Sequence, residues 1–291
     1  MTTAYAIDRA DPEGTGMQSG HASRSAMGSA LLRAEHARED PTRVLDDTLA
    51  GRLVPSEERP RLEKTIAGWP PQVRRSLRLH HALRARLAED EAVAGLSVGR
   101  SDYVLLGAGL DTFAWRHPRA GEFRIWEVDH PDTQAWKRSA LAQAGVADVA
   151  NVRFVSVDLV TRGLKETGLP GRATWNWLGV TMYLPREATR TTLRAIASRQ
   201  EGTTLVADFV CATGELDDAG QAVRASADAA VAADGEPILA DYATSEVNTL
   251  LHEAGFRTVT LLDADALRAR YLPTQLDLRL SSSTVLAVAT V

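Results

Sequence analysis

Tyr103-Val104-Leu105-Leu106-Gly107-Ala108-Gly109-Leu110-Asp111-Thr112 runs a buried-strand pattern straight into a glycine pair. Near-continuous apolar strands of this kind belong to parallel sheets covered by helices on both faces. Twenty residues on, Phe123-Arg124-Ile125-Trp126-Glu127-Val128 reads as a second short strand, and it ends on an acid, Asp129. A strand, a tight Gly-x-Gly turn, a crossover and an acid closing the next strand describe the nucleotide-binding half of a doubly wound α/β fold. The glycines let the backbone approach a ligand closely, and the acid can accept hydrogen bonds from both ribose hydroxyls. The expected ligand is an adenosine-containing cofactor.

The same turn narrows the choice. A dinucleotide fingerprint requires a third glycine at position 112, where this chain has threonine, and Asp111 before it would repel a pyrophosphate. A cofactor without phosphate, such as S-adenosylmethionine, fits better. Asp129 could also cap the helix that begins at Pro131. Asp158 closes a third strand, Val152 to Val157. It could accept a bond from an adenine amino group while Leu159 packs on the ring, or it could cap the following turn. The fourth strand, Trp175-Asn176-Trp177-Leu178-Gly179-Val180, leads into Thr181-Met182-Tyr183-Leu184-Pro185. Its aromatics and glycine suit a pocket wall, although two tryptophans are more often core.

Outward from this centre the pattern alternates. Strand-like runs at 102–106, 123–128, 152–157, 173–180 and 203–210 are separated by helix-like stretches such as 132–143 and 186–199. That rhythm implies right-handed βαβ crossovers. Helices are expected at 218–233 and 243–254, the latter closed by Gly255, followed by strands at 256–262 and 284–291. The expected fold is α/β: a seven-stranded, mostly parallel, doubly wound sheet, with the last strand free to insert antiparallel. Upstream, helical spacing at 23–38 and 72–91, punctuated by Pro41, Pro55, Pro60, Pro70 and Pro71, suggests a helical cap. The divisions expected are a mobile segment over 1–20, a cap over 21–100 and a core over 101–291.

Composition excludes several classes. A formal charge of −5 argues against broad nucleic-acid binding. No apolar run approaches the length of a membrane span, and the first residues lack a cationic and apolar leader, so a cytoplasmic location is expected. The lone cysteine, Cys211, follows an apolar strand and reads as a buried filler. The seven histidines show no metal spacing; His80 and His81 are adjacent and should point to different sides of their helix. No metal site is expected. A nucleophile elbow and a Walker loop are both missing.

Taken in order, Leu106-Gly107-Ala108-Gly109-Leu110-Asp111-Thr112, Glu127-Val128-Asp129-His130-Pro131, Asp158-Leu159 and Gly179-Val180-Thr181-Met182-Tyr183-Leu184 resemble the leucine carboxyl methyltransferase-like family. Arg33-Ala34 and Asp46-Asp47 echo its N-terminal helices, so the resemblance spans roughly Ser23 to the C-terminus. It implies a class I methyltransferase dependent on S-adenosylmethionine, from a group with many bacterial members and some that act on polyketides. By that resemblance Gly107, Ala108 and Gly109 pass under the cofactor, Asp129 with His130 beside it holds the ribose, and Asp158 with Leu159 holds the adenine. Arg84 on the cap helix, with Arg86 as alternative, would bind the methionyl carboxylate. Leu178 stands where many members carry a glutamate that reaches the cofactor's ammonium, which points to the branch acting on small molecules. The expectation is O-methylation of a small carboxylate or hydroxyl acceptor, its pocket faced by Trp177, Tyr183 and Tyr271. A carboxylate acceptor would need no base; for a hydroxyl, no residue stands out as one, and His117, His130 and Tyr183 are the candidates. The rivals are a nicotinamide oxidoreductase on the same half-fold and a non-catalytic cofactor-binding homologue. Neither the acceptor nor the oligomeric state can be read from the chain.

Overall fold

The computed structural model describes residues 23–164, 167–273 and 280–291. Four helices precede the first strand: α1 (Arg24–Glu39), α2 (Thr48–Arg52), α3 (Arg59–Ala67) and α4 (Pro71–Leu96). Helix α4 outlasts the stretch expected for it because Ala92 and Gly95 remain buried beneath its final turns. Then come β1 (Asp102–Leu106), α5 (Phe113–Arg116), β2 (Arg124–Asp129), α6 (Pro131–Gln143), β3 (Val152–Ser156), β4 (Thr174–Trp177) and α7 (Arg186–Ala197). The chain closes with β5 (Thr204–Val210), α8 (Asp218–Ala233), α9 (Thr244–Ala254), β6 (Thr258–Leu262), α10 (Ala264–Tyr271) and β7 (Thr284–Thr290). Gly255 ends α9 in the left-handed conformation, as its position suggested.

The strands lie in the order β3-β2-β1-β4-β5-β7-β6. The first five are parallel, and β7 pairs antiparallel with both β5 and β6. Between β1 and β4 the direction of winding reverses, and at such a switch point the crossovers diverge and leave a crevice beyond the strand ends. One strand is shorter than expected. β4 stops at Trp177 because Gly179 turns to a φ of +72° and donates its N–H to the buried carboxylate of Asp208. Trp175 and Trp177 are both fully enclosed in the core that includes Leu193 and Ile196 of α7.

The helical cap docks on the sheet through a buried ionic network centred on Asp47. Its carboxylate is fully enclosed and accepts from Arg33 Nε at 2.8 Å, Thr112 Oγ1 at 2.5 Å and the α2 backbone at Ala50 N. Arg116 Nε lies 3.4 Å away and donates to Thr112 Oγ1 at 2.9 Å, while its other two nitrogens donate to the carboxylate of Glu89 on α4. Arg33 reaches further, donating 2.7 Å to the carbonyl of Leu110 in the glycine turn. Burial opposes the charge on Asp47, but Arg33 and Arg116 prevail and hold its carboxyl below the usual range. Thr112, which breaks the dinucleotide fingerprint, is thus a fully buried link between turn and cap. Removing one partner of such a cluster strands the remaining charges, at about 3–5 kcal/mol. Asp47→Asn should therefore lower the free energy of unfolding in urea by about that amount; a loss under about 1 kcal/mol would mean that apolar packing alone seats the cap.

Candidate active site

The strand ends and the cap enclose a cavity of about 670 Å³. At one end lies the turn after β1. Gly107 and Gly109 have φ of +70° and +45°, and a Cβ on Gly107 would come within 2.4 Å of Val180. Only glycine allows the backbone to pass here. Asp129, at the end of β2, does not cap α6; His130 does that by accepting from Asp132 N. Instead the Asp129 carboxylate accepts from Gly109 N at 2.6 Å and His130 N at 2.7 Å, one bond to each oxygen. Burial pushes its pKa up, against those two N–H groups. Each oxygen retains acceptor capacity, so two further donors can be met by a carboxylate already fixed in place.

Of the two jobs open to Asp158, the structure shows the cap and leaves the carboxylate at the cavity wall. It caps the turn after β3, accepting from Val160 N, Thr161 N and Thr161 Oγ1, while it and Leu159 line the cavity. Burial raises its pKa, but the Thr161 hydroxyl and the two backbone donors outweigh that and hold it below the usual range. Asp111, just before the N-cap Thr112, accepts from Phe113 N at the start of α5 and also faces the cavity. A carboxylate therefore occupies the position where a pyrophosphate would seek a helix N-terminus.

The opposite wall of this end is built from α4. Arg84 Nη1 lies 2.7 Å from Asp208 Oδ2, and Nη2 donates to Ser29 Oγ at 3.1 Å. Gly179 admits the guanidinium, since a Cβ there would sit 3.0 Å from Nη2. Arg86 lies outside the cavity and is bound to Asp90 and to the carbonyl of Val44. Asp208 and Ser29 escaped the sequence reading. Asp208 did leave a signal, a lone acid within Leu205-Val206-Ala207-Asp208-Phe209-Val210, since a charge in a buried strand requires a partner. Among the described residues six carboxylates and four arginines line the cavity, which suits a ligand carrying positive charge.

The same cavity includes a more apolar chamber lined from α3, α4 and α8, with Ile66, Trp69, Leu77, Val223 and Ala227 on its walls. His80 and His81 both face the cavity, contrary to the expectation that they diverge. Adjacent helical positions are only about 100° apart, so a wide chamber meets both. Tyr183 also lines it; burial pushes its phenol up to about 12, which keeps it protonated at neutral pH. Trp177 and Tyr271 do not. Trp177 turns into the core, and Tyr271 at the end of α10 packs beside Leu267 and donates to Asp90 at 3.0 Å. His117 stacks on Phe113 away from the cavity. Among the described residues no group of three or more potential metal ligands is gathered, and no helix is long and apolar enough to cross a membrane.

This sheet order, with its glycine turn and strand-end acid, is that of a class I methyltransferase. The leucine carboxyl methyltransferase model matches residues 26–197, and the chain belongs to that family and with it to the S-adenosylmethionine-dependent methyltransferases. Similar proteins include the "Putative S-adenosyl-L-methionine-dependent methyltransferase YktD" of Bacillus subtilis, 27% identical over 287 residues, covering 86% of this chain and 91% of that protein. A Parafrankia protein named in the same terms is 32% identical over 171 residues, covering 56% of this chain and 55% of its own. Among solved structures, a DUF574 family protein from Streptomyces avermitilis aligns with a TM-score of 0.57 at 17% identity, over 92% of this chain and 97% of that one. A Thermobifida fusca protein titled a "putative methyltransferase" aligns at 0.58 and 15% identity, over 94% and 96%. At these identities the structures speak for the fold alone.

The histidine pair makes stability depend on pH. Desolvation, aided by Arg84, pushes His80 down to about 4, and it pushes His81 well below the ordinary imidazole value. Between pH 6.5 and 4 the unfolded chain takes up protons that the folded one refuses, so stability is complete above 6.5 and falls as pH drops through that window. His80→Gln should therefore lose less melting temperature between pH 6.5 and 5 than the unaltered protein. Equal losses would contradict a neutral, desolvated His80.

Proposed function

We propose that the protein transfers a methyl group from S-adenosylmethionine to an oxygen atom of a small, partly apolar molecule. The observation that carries this reading is the continuity of the cavity, from the fixed carboxylate of Asp129 to the apolar chamber under α3 and α8. Its volume lies within the ~300–1,000 Å³ of small-molecule sites, too confined for a folded macromolecule. The donor supplies, when bound, an electrophilic methyl on a sulfonium whose carbon–sulfur electron pair stays with sulfur.

The residues fit that donor. Asp129 would hold the ribose hydroxyls, with the backbone of Gly107, Ala108 and Gly109 beneath and His130 alongside. Asp158 and Leu159 would flank the adenine. Arg84 would meet the methionyl carboxylate, its charge kept in place by Asp208 and Ser29. Leu178 offers the ammonium no charged group, and the carboxylate of Asp208 is engaged by Arg84 and Gly179. The ammonium would then rest on backbone carbonyls. The remaining contribution of the chain is positioning: holding donor and acceptor in line, with water kept from the apolar chamber.

Two substitutions separate these roles. Asp129→Ala should weaken S-adenosylhomocysteine by at least about tenfold, the equivalent of one charged hydrogen bond; an unchanged dissociation constant in folded protein would remove the ribose role. Arg84→Ala should weaken S-adenosylhomocysteine far more than 5′-methylthioadenosine, which lacks the carboxylate. Equal weakening would make Arg84 a purely structural partner of Asp208. The activity itself is tested by a methyl-transfer screen over small phenols, alcohols, carboxylic acids, peptides and RNA. Transfer to a small oxygen acceptor is expected, and labelling of RNA alone would contradict the substrate class.

A further inference from the structure

We propose that His80 and His81 form the recognition wall for the methyl acceptor, and that they select a neutral molecule through a hydroxyl group, a phenol or alcohol rather than a carboxylate. This deepens the methyltransferase reading and rests on it. His81 Nδ1 lies 2.8 Å from the carbonyl oxygen of Leu77. A carbonyl can only accept, so Nδ1 carries the proton, and the neutral ring presents Nε2 as a bare lone pair. His80 has no hydrogen-bond partner among the described residues and meets His81 edge-on, with centroids 5.6 Å apart at 88°. Two imidazoles on a chamber wall, one with a fixed acceptor nitrogen, call for a ligand that donates.

The charges around the pair point the same way. Each arginine on the cavity wall already faces a carboxylate: Arg24 with Glu58, Arg33 with Asp47, Arg84 with Asp208 and Arg224 with Asp228. Arg224 also donates to the carbonyl of Cys211. Among the described residues no lysine lines the cavity. A carboxylate entering between Leu77, Ile66 and Val223 would lose its water and meet the lone pair of His81, with Arg84 given over to the donor's own carboxylate and the other arginines among the described lining residues each facing an acid. A hydroxyl would instead donate to Nε2 and leave its apolar skeleton against those side chains. Nε2 then receives this proton as the oxygen gains its methyl group and gives it up to solvent once the products leave the chamber, since the folded protein holds this imidazole neutral.

The test uses 2-naphthol and 2-naphthoic acid, matched in skeleton. At pH 7 the first is neutral, as expected of a phenol ionising near ~10, and the second is ionised. Binding is measured by calorimetry with and without saturating S-adenosylhomocysteine. The naphthol should bind at least about tenfold more tightly than the naphthoate, a difference of about 1.4 kcal/mol. His81→Phe, which keeps a flat ring without the lone pair, should abolish that preference while leaving the affinity for S-adenosylhomocysteine unchanged; His81→Gln, which retains an acceptor, should preserve part of it. Equal or tighter binding of the naphthoate, an undiminished preference in His81→Phe, or failure of the naphthol to bind folded protein would each overturn the proposal. Failure of S-adenosylhomocysteine to bind would bring down the methyltransferase reading instead, and the preference measured without it would still decide the role of the histidine wall.

Discussion

The buried carboxylate of Asp47 is the constraint on which the site depends. The sheet alone supplies a crevice open to water, and the helices that roof it pack apolar side chains on the sheet and on the turn after β1, but apolar packing carries no direction. Asp47 joins α1 through Arg33, the glycine turn through Thr112 and α5 through Arg116. Desolvating these groups is costly, and the cluster is tolerable only because every charge has an opposite partner at hydrogen-bond distance. Its geometric demand places α1 and α4 over the turn after β1. Ser29 and Arg84 thereby arrive opposite Asp129, and a cofactor-sized space is enclosed.

A second buried acid fixes the other side. Asp208 takes the N–H of Gly179 with one oxygen and Arg84 with the other, so the bend ending β4 and the charge on α4 share one anchor. The Thr181 hydroxyl donates to the Asp208 carbonyl, tying the following turn to β5 as well. Glycine at 179 is required twice over, by its positive φ and by the guanidinium lying against it. Residues that neither strand pattern nor glycine motif would single out therefore set the shape of the site.

Much of this was legible in the chain. The apolar runs located all seven strands: inner strands such as β1 and β5 are buried on both faces and largely apolar, while the edge strands β3 and β6 are only partly buried yet rich in β-branched residues. The acids at 129 and 158 were legible because they stand where strands end. What escaped notice depended on contacts distant in sequence. Asp208 and Arg84 are 124 residues apart, and Thr112 and Asp47 are 65 apart. Trp177 and Tyr271 were misread for a related reason: an aromatic suits a core and a pocket equally, and only the twist of the strand and the packing of α10 decide which it meets. Helical periodicity likewise separates His80 from His81, but it carries no information about how wide a chamber lies in front of them.

The central claim is that the turn after β1 and Asp129 build a site for a phosphate-free adenosine cofactor. Calorimetric titration of the full-length protein with S-adenosylhomocysteine and, separately, with NAD tests it most directly. The account predicts one-to-one binding of S-adenosylhomocysteine with a dissociation constant below about 100 μM, and none of NAD tighter than about 1 mM, because Asp111 occupies the pyrophosphate position. Binding of NAD as tight as that of S-adenosylhomocysteine, or tighter, would contradict it.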